Sequence, residues 1–383
     1  MSAADIHIGS RKVGPGHKPF VIAEVSGNHN GDLARALDIV DMVADAGADA
    51  VKLQTYTADT ITIDCERPEF VISADHPLWG GKTLYSLYEQ AHTPWKWHEA
   101  IFDKARSRGL IPFSSPFDST AVDLLEDLDA QVYKIASLEI GDTSLLRTVA
   151  RTGKPVILSN GAASLADVET ALSVIRGEGN NQVVVLACTS SYPASPAESN
   201  LRTLPVLRDA FGVHVGLSDH TMGIGAAIAA VALGASVIEK HVTLDRNDGG
   251  VDSAFSLEPH ELAALVTETE TAWLALGSPT LSVSAGEAES ARLRRSLYVV
   301  SDVRKGDVLT KENVRSIRPG GGLAPQDLGL VLGRTFAADC MRGTPLSWDL
   351  ISHGGGQVLS SGPHASRSPS AEGALEVVLV SGW

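Results

Sequence analysis

Two histidines, and the acids and lysines near them, are the residues in this chain best suited to chemistry. His220 closes the run Ser218-Asp219-His220 and His241 closes Glu239-Lys240-His241, and each run follows directly on an apolar stretch. A packed interior excludes ionisable groups unless they are paired or belong to a site. Two imidazoles at adjacent strand ends can share one metal ion; with water or substrate completing the shell, Mn²⁺ suits them better than a closed structural zinc. The bland alternative is a pair of hydrogen-bonding structural histidines. Glu24, Glu139 and Glu239 are candidates for moving protons or holding a substrate hydroxyl. Lys52 and Lys134, joined by Gln54 and the hydroxyls of Ser115, Ser137, Ser159 and Ser190, form the donor set that suits a phosphate and a carboxylate. Taken one at a time, each has a modest reading: a lysine snorkels, a serine caps a helix or starts a turn. Only convergence on one pocket makes a site of them.

The elements that would produce convergence can be counted. Apolar runs at FVIAE (20–24), AVKLQ (50–54), IPFS (111–114), VYKIA (132–136), PVILS (155–159), VVVLA (183–187), VHVGL (213–217) and SVIEK (236–240) alternate with amphipathic stretches such as LARALDIVDMVADAG and SLADVETALSVIRG. Eight β-then-α repeats over about 270 residues predict an α/β fold of the closed (β/α)8 TIM-barrel type, whose usual size is ~250 residues. A doubly wound sheet would want a glycine-rich fingerprint after its first strand, and GNHNG (27–31) is a poor one. In a parallel barrel the C-terminal strand ends converge on one mouth, which is where every polar run named above falls. Period-two alternation puts Glu239 and His241 on one side of their strand and turns Lys240 towards the helices or an ion pair. Residues 55–94 make a long aromatic and polar connection expected to line or cover the mouth.

Residues 1–278 therefore read as the barrel, 279–294 as a linker, and 295–351, with short strands and turns at Lys305-Gly306-Asp307 and Arg342-Gly343, as a second compact and mostly β domain. The segment 352–383 is rich in Gly, Ser and Pro and reads as a disordered tail. A formal net charge of -15 argues against nucleic acid or an anionic membrane surface as partner. Cys65, Cys188 and Cys340 lie far apart without metal-knuckle spacing, as expected of a reducing cytoplasm. Neither a signal peptide nor a run near the roughly 20 apolar residues of a membrane span is evident, so a soluble cytoplasmic protein is expected.

The motifs IAEVSGNHNG (22–31), KLQTYTADT (52–60), PFSSPFD (112–118), YKIAS (133–137), CTSSYPA (188–194), GLSDHTMGIG (216–225), VIEKHVTLDR (237–246) and SIRPGGGLAP (316–325) together resemble the sialic acid synthase family, the phosphoenolpyruvate-dependent nonulosonic acid synthases. The resemblance runs from about residue 6 to 351 and is strongest to its pseudaminic branch, with the N-acetylneuraminate and legionaminic acid synthases as sisters. The C-terminal domain is similar to the antifreeze-like (SAF) domain of these enzymes. The resemblance implies a transferase that condenses phosphoenolpyruvate with an open-chain N-acetylated amino sugar, releasing phosphate by C–O cleavage. For the pseudaminic branch the acceptor is 2,4-diacetamido-2,4,6-trideoxy-L-altrose. Carried over by motif, Lys52, Gln54, Ser115, Lys134, Ser137 and Ser159 hold phosphoenolpyruvate, with Ser190 and Tyr192 nearby, and His220 and His241 hold Mn²⁺. Glu24 handles protons, Glu239 and Asp252 position sugar hydroxyls, and Glu139 lies near the intermediate. Arg318 reaches the neighbouring subunit's site and contacts an acyl group, which implies a domain-swapped homodimer. Three positions depart from the family pattern: Ser190 stands where the N-acetylneuraminate branch has Asn, Asn160 replaces Thr, and Gly250-Val251-Asp252 replaces Gly-Pro-Asp. Competing expectations are a metal-dependent sugar aldolase or epimerase, which would not need so many anion donors, and a non-catalytic sugar-binding protein, which would not need the barrel residues.

Overall fold

The computed structural model describes residues 4–75 and 79–352. The chain divides into two compact units after Ser278. In the first, eight parallel strands close a barrel: β1 Phe20–Glu24, β2 Ala50–Thr55, β3 Ile111–Pro116, β4 Tyr133–Ile135, β5 Val156–Ser159, β6 Val183–Cys188, β7 His214–Asp219 and β8 Val237–His241. β8 pairs with β1, Val237 against Phe20 through His241 against Glu24, and that register completes the ring. The predicted (β/α)8 architecture is what forms. β4 is shorter than the apolar pattern suggested: it ends at Ile135, and Ser137–Glu139 wind into a 3₁₀ turn.

Alternation along the strands builds two cores. Outward residues such as Val21, Val51, Tyr133, Val185 and Ile238 meet the helices, while inward residues Phe20, Ile22, Ala50, Phe113, Ile157, Val184 and Val237 fill the lower barrel. An N-terminal hairpin, Ile6–Ile8 paired with Arg11–Val13, adds Ile6, Ile8 and Val13 to that inner cluster and shuts the N-terminal mouth. The loops at the other mouth end in helix caps that fix their length. Asp32 caps Leu33–Asp45, Asp118 caps Ser119–Asp127 and Asp142 caps Thr143–Arg151, each accepting from a backbone N–H of the first turn. Ser164 and Asp167 form a capping box on Leu165–Gly177. The long 55–94 connection carries two short helices of its own, Ala58–Ile61 and Leu84–Ala91.

In the second unit the antiparallel strands β9 Ser296–Val299 and β10 Val314–Ile317 are extended by isolated bridges, Val303 with Cys340 and Phe336 with Ile351. Leu297, Val299, Leu309, Val314, Phe336 and Leu346 make its core. The stretch expected to be a plain linker carries a short helix, Ala288–Arg292. The tail expected from residue 352 lies, from residue 353 on, outside the described residues. Among the described residues no helix is long and apolar enough to cross a membrane.

Candidate active site

A cavity of about 400 Å³ sits at the C-terminal ends of the barrel strands. Its wall contains Lys52, Gln54, Ser115, Lys134, Ser137, Glu139, Ser159, Ser190, Tyr192, His220, Glu239, His241 and Asp252, so the structure brings together all but one of the residues expected in the chain's own site. Glu24 is the exception. It is fully buried, one layer behind the wall, and paired with Lys52. Arg318, expected at the neighbouring subunit's site, belongs to the other unit, follows β10 directly and is exposed.

Strand register sets the floor of the cavity. Glu24 on β1 lies beside both His241 on β8 and Lys52 on β2, and Gln54 lies beside Ser115 on β3. Side chains at these inward positions form an alternating chain of charge. Lys134 Nζ donates to Glu239 Oε1 at 2.7 Å, Glu239 Oε2 lies 3.2 Å from Lys52 Nζ, and Lys52 Nζ lies 2.8 Å from Glu24 Oε2. Ser218 Oγ adds a second donor to Glu239 at 2.9 Å. All four charged groups are removed from solvent, which is tolerable only because each is paired.

The two carboxyls of this chain are driven apart. Burial pushes Glu239 up, but the Lys134 and Lys52 ammoniums outweigh it and hold Glu239 well below the usual carboxylate range. Burial pushes Glu24 up as well, Lys52 opposes it, and the neighbouring charge of Glu239 reinforces it, leaving Glu24 raised. Of the two, Glu239 is therefore the firmer anion, and Glu24 the one whose charge burial disfavours. Burial also lowers Lys134, aided by Lys52 and opposed by Glu239.

The two imidazoles meet edge to face, with ring centroids 5.2 Å apart and ring planes at 65°. Phe255 packs against both, at 6.0 Å from His220 and 5.1 Å from His241. His220 Nδ1 lies 3.0 Å from the Thr189 carbonyl oxygen. A carbonyl only accepts, so Nδ1 carries a proton and Nε2 is the nitrogen left to meet a ligand; burial lowers His220, but its contacts with Cys188 and the Thr189 carbonyl outweigh it and leave it raised. Burial, with the charges of His220 and Lys52, holds His241 far below its ordinary value, so it is neutral, and its buried Nδ1 has no hydrogen-bond partner. Among the described residues no three His, Cys, Asp or Glu side chains converge into a metal cage. Two imidazoles, one with an orphaned nitrogen, fit a cation whose remaining ligands are exchangeable.

Lys240, between Glu239 and His241, points away from the cavity as alternation requires. Its Nζ donates to Asp219 Oδ2 at 3.0 Å and to the Thr221 carbonyl at 2.5 Å, while Asp219 Oδ1 accepts from Thr221 N. Since Asp219 precedes His220 and Lys240 precedes His241, this pair joins the two strand ends that carry the imidazoles.

A seam closes the mouth between the first and last loops. Asn28 Nδ2 donates to the Val242 carbonyl and to Ser256 Oγ, and its Oδ1 accepts from Asp252 N. Ser26 donates through its N–H to Glu24 Oε1 at 3.1 Å and through its hydroxyl to Asp252 Oδ2. Close approach makes Gly27 necessary, because a Cβ there would lie 2.3 Å from Val251 Cγ2. Gly161 is held to the same standard, a Cβ meeting Ser190 Oγ at 2.2 Å. Asn160, one of the departures from the family pattern, accepts from Cys188 N at 3.1 Å and so ties β5 to β6.

Above the floor the 55–94 connection supplies an apolar and aromatic wall, with Tyr56, Ile61, Ile72, Leu84, Leu87 and Tyr88 facing the cavity. That this connection lines the site was expected; the identity of its contact residues was not. Ser26, Cys188 and Phe255 were also missed as site residues. Ser26 and Cys188 lie in two of the motifs named above, IAEVSGNHNG and CTSSYPA, whereas Phe255 lies outside all of them.

A model of the NeuB family matches residues 39–280, and a model of the SAF domain matches residues 294–352. The pseudaminic acid synthase of Campylobacter jejuni is 41% identical over 329 residues, covering 86% of this chain and 95% of the relative. The N,N'-diacetyllegionaminic acid synthase of the same organism is 36% identical over 321 residues, covering 83% of this chain and 95% of the relative. The crystal structure of N-acetylneuraminic acid synthetase from Leptospira borgpetersenii, in complex with citrate, superposes with a TM-score of 0.67 at 35% identity, covering 75% of this chain and 95% of that one. With one family model spanning most of the barrel and relatives matched almost from end to end, this chain belongs to the NeuB family, whose SAF domain it also carries.

Proposed function

We propose that this chain condenses phosphoenolpyruvate with the open-chain form of 2,4-diacetamido-2,4,6-trideoxy-L-altrose, giving pseudaminic acid and inorganic phosphate. The observation that carries the reading is the buried Lys134–Glu239–Lys52–Glu24 chain set beside a pair of imidazoles at one cavity. The higher identity to a pseudaminic than to a legionaminic acid synthase of one organism, 41% against 36%, supports the choice of acceptor.

The floor is built for an anion carrying both phosphate and carboxylate. The Lys134 ammonium has three donors and one carboxylate partner, Glu239, and so keeps capacity for a ligand, while Lys52 is shared among Glu24, Glu239 and Ser115; Ser159 Oγ is buried without a partner. Lys52, Lys134, Gln54, Ser115, Ser137 and Ser159 take the two charged ends of phosphoenolpyruvate, with Ser190 and Tyr192 beside them. His220 and His241 hold a divalent cation, Mn²⁺ in this reading, which when bound supplies Lewis-acid polarisation of the sugar aldehyde. Carbon 3 of phosphoenolpyruvate bonds to the aldehyde carbon, whose oxygen takes a proton. Water adds to the cationic carbon 2 and gives up a proton, and phosphate departs with the bridging oxygen as the C–O bond breaks. Glu239, expected to position a sugar hydroxyl, is instead tied into the floor by Lys134 and Lys52, where its charge stabilises that cationic carbon electrostatically. Glu24, beside Lys52, handles protons in these steps. Asp252, pushed up to about 6 by burial, meets the sugar hydroxyls, and Glu139, pushed up to about 7 by burial, lies near the intermediate.

The proposal extends to the assembly. The barrel of 1–278 is catalytic, 279–294 connects it to the SAF domain of 295–351, and Arg318 contacts the acyl group of a sugar bound by the other copy in a domain-swapped homodimer. The reaction belongs to nonulosonic acid biosynthesis in the cytoplasm.

The test is phosphate release and product mass from phosphoenolpyruvate, Mn²⁺ and a panel of N-acetylated sugars, with bridging-oxygen label followed into phosphate. Product from the trideoxy sugar, label in phosphate and loss of turnover on chelation are expected. Product from N-acetylmannosamine alone would reassign the acceptor, and equal turnover with pyruvate would move the chain to the aldolases.

A further inference from the structure

Among the described residues of the cavity wall, Ser26 alone combines a side chain with a positive φ, +48°. Glycine adopts that conformation freely, and Asn or Asp tolerates it; a serine is disfavoured there. A strained backbone at a buried position persists where the side chain does something that glycine would not. What the serine adds is one hydroxyl, and that hydroxyl donates to Asp252 Oδ2. No other hydrogen bond reaches the Asp252 carboxylate among the described residues; its next polar neighbour, His241 Nδ1, is 3.7 Å away. The left-handed turn also aims the Ser26 N–H at Glu24 Oε1, so one residue holds two acids of the site by two different groups.

We propose that Ser26 is a positioning residue for the acceptor sugar: its hydroxyl locks Asp252 in the orientation that receives the sugar's hydroxyl groups. This rests on the synthase reading above, in which Asp252 meets the sugar. The backbone of Asp252 is already fixed, its N–H by Asn28 Oδ1 and its carbonyl by Ser256 Oγ. Only the carboxylate's rotation is left, and Ser26 removes it. The anion floor stands apart from this contact, since Lys52 and Lys134 are held by Glu24 and Glu239.

Two substitutions separate the hydroxyl from the strain. S26A deletes the hydroxyl and keeps the left-handed side chain; S26G deletes both. In steady-state assays with phosphoenolpyruvate, Mn²⁺ and the trideoxy acceptor, both variants are expected to lose roughly ten- to a hundredfold in kcat/KM for the sugar, the range of a buried hydrogen bond to a charged group. Their KM for phosphoenolpyruvate should stay within about threefold of wild type, and S26G should melt no lower than wild type. In a D252A background, S26G should cost nothing more, because both act through one contact. Wild-type sugar kinetics in S26G would overturn the proposal, as would equal losses for both substrates or full additivity with D252A. A wild-type enzyme that turns over none of the sugars would overturn the synthase reading itself, and is recognisable before any variant is made.

Discussion

Two buried ion-pair assemblies lie one residue apart on β8 and end up with opposite duties. Glu239 points inward and bonds two lysines at the edge of an open cavity. Lys240 points outward and bonds Asp219 and the Thr221 carbonyl in a packed layer outside the lining of that cavity. The chemistry of the pairs is the same; the available space differs. Where room remains, the ammoniums can add a ligand, and where none remains they can only hold strands together.

Substitutions that break a pair and then neutralise both partners test that division. K134M is expected to lower kcat/KM for phosphoenolpyruvate roughly a hundred- to a thousandfold, the effect of truncating one partner of a buried charge pair. The double variant K134M/E239Q should regain stability in urea unfolding without regaining activity, since it restores neutrality but no ammonium. K240M should destabilise the protein by about 3–5 kcal/mol by leaving Asp219 buried and unpaired. K240M/D219N, which keeps an acceptor for Thr221 N, should recover most of that stability and turn over within about tenfold of wild type. If K240M/D219N is folded and inactive, the outward pair is part of the chemistry and the division fails.

Glu139 sharpens the contrast as an acid on the cavity wall without a lysine partner. Burial raises it from 4.5 to about 7, so the folded protein binds its proton more tightly than the unfolded chain does. Its contribution to stability is therefore full below about pH 4.5 and is lost as pH rises through about 7. E139Q should flatten the slope of unfolding free energy between those limits, a small effect read by urea titrations at a series of pH values. An unchanged slope would place the titration elsewhere.

The barrel was legible because its two patterns are local. Strand runs end in polar residues, and period-two alternation sorted Glu239 and His241 from Lys240 without any tertiary information. Depth was not legible. Alternation points Glu24 inward, but its position behind Lys52 depends on how far each strand is shifted against its neighbour. The end of β4 was overrun because Ala136 extends an apolar pattern that the Ser137–Glu139 turn interrupts. Tyr56, Ile61 and Leu87 look like ordinary apolar residues of a long connection until its short helices fold them over the cavity. Ser26 is a still plainer case, since a positive backbone φ leaves no mark in composition or periodicity.

The hairpin at Ile6–Val13, described above as closing the N-terminal mouth, makes the barrel a blind alley. Traffic in and out shares one door, and whatever rests on the lysines lies beneath whatever leans on the aromatic wall. Arrival is then expected in strict order, the anion first and the sugar second, with the nine-carbon acid leaving before phosphate. Initial-rate patterns would report it: inorganic phosphate should compete with phosphoenolpyruvate and act noncompetitively towards the sugar, and competition with the sugar would mean the queue does not exist.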